Sequence, residues 1–88
     1  MKIKQKFILR EIAGDFVLVP ITSKDDVFEG IISFNETGAF IWRELEKGNE
    51  EDEIIDALMQ EYDVEKEKAR LDVSKICSDL KKLGILEC

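Results

Sequence analysis

The side chains that most often do chemistry are few in this chain, and their spacing does not suit catalysis. None of the 88 residues is histidine, which removes the side chain best suited to proton transfer near neutral pH. The two cysteines, Cys77 and Cys88, form no Cys-x-x-Cys pair, and carboxylates alone do not complete a zinc site around them. Cys77 falls on an apolar helical face, as a small core or groove residue. Neither a glycine-rich phosphate loop nor a Cys/His or Ser/His pairing occurs. Carboxylates are abundant, but they belong to exposed faces of expected helices. Glu50 to Glu53 read as a solvated first turn that complements the helix dipole. The pattern points to a protein that is not an enzyme and needs no metal or cofactor.

Recognition through backbone hydrogen bonds is the chemistry this chain can offer. Phe28 to Phe34 reads as an extended strand, with Phe28, Ile32 and Phe34 on one face and Glu29, Ile31 and Ser33 on the other. Gly30 in mid-strand marks close approach of another backbone. Phe34-Asn35-Glu36-Thr37-Gly38 then marks a strand-to-helix junction. Asn35 is a strong N-cap, Glu36 puts charge where the dipole favours it, and Phe34 stands where a hydrophobic staple begins. Gly38 is costly inside a helix, so it implies close backbone packing or a nearby ligand.

The elements that position this strand follow from periodicity. Phe7 to Ile12 is rich in β-formers and reads as a first strand, Gly14-Asp15 as a turn, and Phe16 to Ile21 as the hairpin partner. Pro20 marks a strand end or an edge, and Thr22 to Asp26 is a polar loop. Three helices come after the third strand. The first is expected from about Glu36 to Lys47, with Gly38, Ile41, Trp42 and Leu45 on one stripe and Gly48 as the stop. Asn49 is expected to cap the second, where Ile54, Ile55, Leu58, Met59 and Tyr62 repeat at helical spacing. The third is expected from about Glu65 to Leu83, with Ala69, Val73, Ile76, Leu80 and Leu83 inward, ending at Gly84. Leu71 lies off that stripe and is expected to be exposed. Ile85-Leu86 resume extended, apolar chain that packs back on the rest. A length of 88 residues suits one domain, 1–88.

The formal charge of −7 disfavours phosphate backbones and anionic lipids, so neither nucleic acid nor membrane is an expected partner. No signal peptide and no membrane-spanning run is apparent, which makes the cytoplasm the expected location.

Three strands followed by three helices make an α+β, winged-helix-like order, a three-stranded antiparallel sheet followed by three helices. That order extends the junction motif and its spacing to Trp42, and it continues into Ala69, Asp72-Val73, Leu80 and Gly84-Ile85-Leu86. From about Phe28 to Leu86 the chain resembles the PqqD family, RiPP recognition elements that bind leader segments of ribosomally made peptides undergoing modification. The N-terminal hairpin matches in type only.

The resemblance implies strand addition. A leader would pair with the third strand, an edge if the three strands form a meander, and send side chains into a groove against the third helix. The strand residues concerned are Gly30, Ile31, Ile32, Ser33 and Phe34. Across the groove, Arg70, Ser74, Cys77 and Lys81 recur at helical spacing on the flank of the core stripe. Arg70 and Lys81 could meet acidic leader residues, and Ile31 and Cys77 could offer apolar contact. Periodicity by itself reads Ile32, Phe34, Gly38 and Trp42 as core and Arg70 and Lys81 as plain surface charges. Asp72 matches the family pattern and equally suits a solvated helix residue. The implied partners are a precursor peptide and a modifying enzyme, often a radical S-adenosylmethionine maturase. The same free edge allows a strand-mediated homodimer. The alternatives are a winged-helix DNA-binding transcription regulator, which needs a basic recognition helix that this chain lacks, and a protein-binding adaptor unrelated to peptide modification.

Overall fold

The structure, a computed structural model, describes residues 2–4, 7–20 and 32–87. Its elements are β1 (Lys2–Ile3), β2 (Phe7–Ile12), β3 (Asp15–Pro20), β4 (Ile32–Phe34), α1 (Glu36–Glu46), α2 (Glu51–Glu61), α3 (Lys66–Lys82) and β5 (Leu86–Glu87). Strands β2, β3 and β4 form an antiparallel sheet in that order, and the three helices follow it, as the sequence pattern predicts. The expected loop Thr22 to Asp26, and Phe28, Glu29, Gly30 and Ile31 of the expected third strand, lie outside the described residues.

The hairpin turns at Ala13-Gly14, one residue earlier than expected. Both residues have positive φ, 52° and 87°, the sign pattern of the type I′ turn whose twist matches the flanking strands. This sets the register Leu9 opposite Leu18 and Phe7 opposite Pro20, and β4 continues it with Leu18 opposite Ile32 and Phe16 opposite Phe34. One face of the sheet therefore collects Phe7, Leu9, Leu18, Ile32 and Phe34, all within or packed against the core. Ile8, Arg10, Ile12 and Ser33 point the other way and are exposed.

Helix α1 closes that face. Gly38, Ile41, Trp42 and Leu45 are all buried, as the periodicity requires. Trp42 meets the edge of Phe7, with ring centroids 5.9 Å apart at 87°, a favourable quadrupole arrangement. Arg43, on the outer side, lies 5.7 Å over the ring of Phe16. Helices α2 and α3 complete the core with Ile54, Leu58, Ala69, Val73, Cys77 and Leu80. Each fully buried aliphatic side chain of this kind contributes about 1.5–3 kcal/mol against exposure.

Two expected helix ends are corrected. Asn49 does not cap α2: Glu50 is the N-cap, and it closes a reciprocal capping box with Glu53, its own N–H donating to Glu53 Oε1 at 2.9 Å. Asn49 instead donates through Nδ2 to Glu44 Oε2 at 2.6 Å, and Lys47 Nζ reaches Glu44 Oε1 at 3.2 Å. The nearly buried Glu44 carboxylate thus ties the α1–α2 turn together. At the end of α3, Leu83 is not inward. It is the C-cap residue and 49% exposed, because the helix stops before that position completes the apolar stripe.

The chain also contains a pairing that the sequence pattern did not announce. β1 is antiparallel to β5, with Ile3 opposite Leu86, and Lys4 N–H donates to Ile85 O at 2.7 Å. Ile85 and Leu86 do pack back into the core, as expected, and β1 is hydrogen-bonded alongside them.

Candidate functional site

A groove of about 640 Å³ opens between β4 and α3. Its strand wall consists of Ile32, Ser33, Phe34 and Asn35, with Thr37 and Gly38 of the first turn of α1 continuing it. Among the described residues β4 is hydrogen-bonded only to β3, so its other side is an edge. Ser33 is exposed there, while Ile32 and Phe34 are half-buried against the core.

The junction residues hold this wall rigid. Asn35 Oδ1 accepts from Gly38 N–H at 2.8 Å, the expected N-cap. Phe34 sits so close to α1 that a Cβ added at Gly38 would lie 2.9 Å from Phe34 Cβ and Cδ1. The glycine is needed because Phe34 packs against the helix backbone, the close packing that its presence implied, and Gly38 lines the groove as well.

The opposite wall is α3, through Asp72, Lys75, Ile76, Asp79, Lys82 and the adjoining Leu83, with Leu80 at the base. This is not the helix face that the sequence pattern placed across the groove. Of that set, Cys77 is 1% exposed and part of the core. Arg70, Ser74 and Lys81 line no part of the cavity. At about 100° per residue they fall on one flank of the Ala69–Val73–Leu80 stripe, and the groove opens on the other. Arg70 is directed to Glu67, donating through Nε to Oε2 at 3.3 Å and through Nη2 to Oε1. That pairing raises the Arg70 pKa and lowers that of Glu67. The structure thus brings Ile32, Ser33 and Phe34 to the groove and sets Arg70, Ser74, Cys77 and Lys81 away from it. Gly30 and Ile31 lie outside the described residues. The wall residues that sequence reasoning missed carry one legible signal: Asp72 and Asp79, and Lys75 and Lys82, each recur after seven residues.

Among the described residues no group of three or more His, Cys, Asp or Glu side chains could hold a metal ion. No described helix is long and apolar enough to cross a membrane. The model of the family described as "Coenzyme PQQ synthesis protein D (PqqD)" matches residues 15–86, from the start of β3 into β5. The chain belongs to the PqqD family. A solved structure titled "TbiB1 in Complex with the TbiA(beta) Leader Peptide" is similar in fold, with a TM-score of 0.77 and 26% sequence identity. The similarity covers 99% of this PqqD-family chain and 95% of that one. No curated protein sequence matches the chain. In the PqqD-family chain the matched segment contains the whole groove, whereas β1 and β2 lie ahead of it.

Proposed function

We propose that this protein is a leader-peptide recognition module, a peptide chaperone without catalytic activity of its own. It binds a ribosomally made precursor by strand addition and presents it to a modifying enzyme in the cytoplasm. The observation that carries the reading is the edge of β4 facing α3 across an open groove. An extended peptide laid there satisfies the free amides and carbonyls of β4, and its alternate side chains enter the groove. Membership of the PqqD family and likeness to a protein solved with a leader peptide support it. The contacts begin with Ile32, Ser33 and Phe34; the sequence reading adds Gly30 and Ile31, which lie outside the described residues. Holding the leader beside the enzyme makes capture of the remaining peptide nearly intramolecular. A radical S-adenosylmethionine maturase is the enzyme class favoured by the family, with other maturases as alternatives. A homodimer through β4 would use the same edge and therefore compete with peptide.

The test is titration of the protein with the leader of a short precursor encoded beside its gene, and separately with duplex DNA at several salt concentrations. Leader binding in the nanomolar to micromolar range is expected, without salt-steep DNA binding, because the chain carries a charge of −7. Strong DNA binding at physiological salt with no response to the leader would overturn the reading.

A further inference from the structure

The α3 wall of the groove carries two charge rows, each repeating after two helical turns or about 10 Å along the axis. One row is Asp72 and Asp79, the other Lys75 and Lys82. Asp72 is engaged by Lys68, whose Nζ lies 3.5 Å from Oδ2. Among the described residues Lys75, Asp79 and Lys82 make no ion pair, although Asp79 has a lysine four residues before it and another three after. Among the described residues the β4 wall adds no charge. With Asp72 paired to Lys68, the described lining of the groove has two open cations against one open anion, in a chain whose net charge is −7. Its local sign is opposite to that of the whole molecule.

Around the helix at about 100° per residue, the apolar Leu80, Ile76 and Leu83 come first, then the aspartates, then the lysines furthest out. An occupant thus meets an apolar floor and a rim ordered Lys75, Asp79, Lys82 along the axis. Resting on the peptide-binding reading above, we propose that this groove selects an extended peptide with apolar side chains toward Ile76, Leu80 and Leu83. Acidic side chains of that peptide reach Lys75 and Lys82, and a non-acidic residue lies between them, opposite Asp79. An extended chain rises about 3.4 Å per residue and only alternate side chains face the groove, so the two acids stand about four residues apart with one groove-facing residue between them, and the flexible lysine stems take up the remaining few ångströms. Uniformly acidic and basic peptides are both selected against, the first by Asp79 and the second by the lysines.

The experiment selects binders from a displayed library of short random peptides on the immobilised protein, then titrates a recovered peptide against variants. Recovered sequences are expected to pair Asp or Glu at that spacing around apolar residues. The double variant Lys75→Glu with Lys82→Glu should bind roughly tenfold more weakly, with the loss shrinking in high salt. Replacing the peptide's acids by lysine should restore binding to the double variant. Arg70→Glu, on the other flank, should leave affinity unchanged. Circular dichroism melts of all variants should stay within a few degrees of wild type, since the changed side chains are exposed and the charge pairs altered, Arg70 with Glu67 included, are weak surface pairs. Recovered peptides without acidic pairs, or a double reversal without effect, overturn the charge selection while leaving peptide binding intact. If no peptide is recovered and the encoded leader also fails to bind, the reading on which the proposal rests falls with it.

Discussion

Phe34 and Gly38 show how a single pair of residues couples stability to the groove. Alanine is the better helix former by about 1 kcal/mol, so Gly38→Ala would stabilise an isolated helix. Here the new Cβ would meet Phe34 Cβ at 2.9 Å, an atom close to the strand backbone that cannot swing aside as a ring tip could. Overpacking of this kind costs about 1–3 kcal/mol, so the substitution should lower the stability measured by urea denaturation and also weaken leader binding by moving a wall residue. A Gly38→Ala variant as stable as wild type would show that β4 yields easily. Tyr62 offers a second residue-scale reading. Partial burial first, then the charge of Glu36 and its acceptance of the phenol hydrogen at 3.4 Å, push the Tyr62 pKa above its ordinary value of 10.0. A raised folded-state pKa means that this stabilisation is full below the unfolded value and is lost as pH climbs through the folded midpoint. It is the chain's sole tyrosine, so ultraviolet titration reads it directly. The midpoint should lie above that of the unfolded chain, and Glu36→Gln should bring it part of the way down. An unshifted midpoint would break the assignment.

At the scale of elements, β4 is exposed on one edge among the described residues and pinned at its end by the Asn35 cap and the Phe34–Gly38 contact. A peptide adding to it must exchange hydrogen bonds with alternate residues, and proline removes one donor. Ile32→Pro and Ser33→Pro should therefore differ: one disturbs pairing with β3, the other leaves the sheet intact and abolishes leader binding. Ser33, whose side chain is exposed and opposite Val17, is the milder side-chain loss. Amide exchange gives an independent check, with new protection on alternate β4 residues when leader is added. Protection confined to α2 would rule out strand addition.

At the scale of the whole molecule, the first and last described strands meet. β1 pairs with β5, and the Lys4–Ile85 hydrogen bond and half-buried Ile3 extend the contact. These few bonds, at about 0.5–1.5 kcal/mol each, fasten the segment after α3 over the core. Removing residues 2–4 should lower the melting temperature and increase amide exchange at Ile85 and Leu86, while leader affinity changes little because the groove is not touched. Unchanged exchange there would mean that β5 holds its place through core packing alone.

Local physics made much of this protein legible from residues alone. The β-formers of Phe7–Ile12, the turn that follows, the Asn35 cap and the spacing of Ile41, Trp42 and Leu45 each act within a few residues, and each appears where the pattern put it, the turn one residue early. The edge position of β4 was likewise legible, because a meander leaves its last strand unpaired on one side. The face of α3 that meets the groove was not. Both flanks of its apolar stripe are polar and both carry lysine, so periodicity places Val73 and Leu80 inward but cannot say which flank turns toward β4. That choice is made by how α3 docks on α1, α2 and the sheet, and the docking sends Cys77 into the core and Ile76, Asp79 and Lys82 to the groove. The β1–β5 pairing escaped notice for the same reason. Two residues at each end carry no periodic signal, and only the folded chain, which brings distant segments together, gives them a partner.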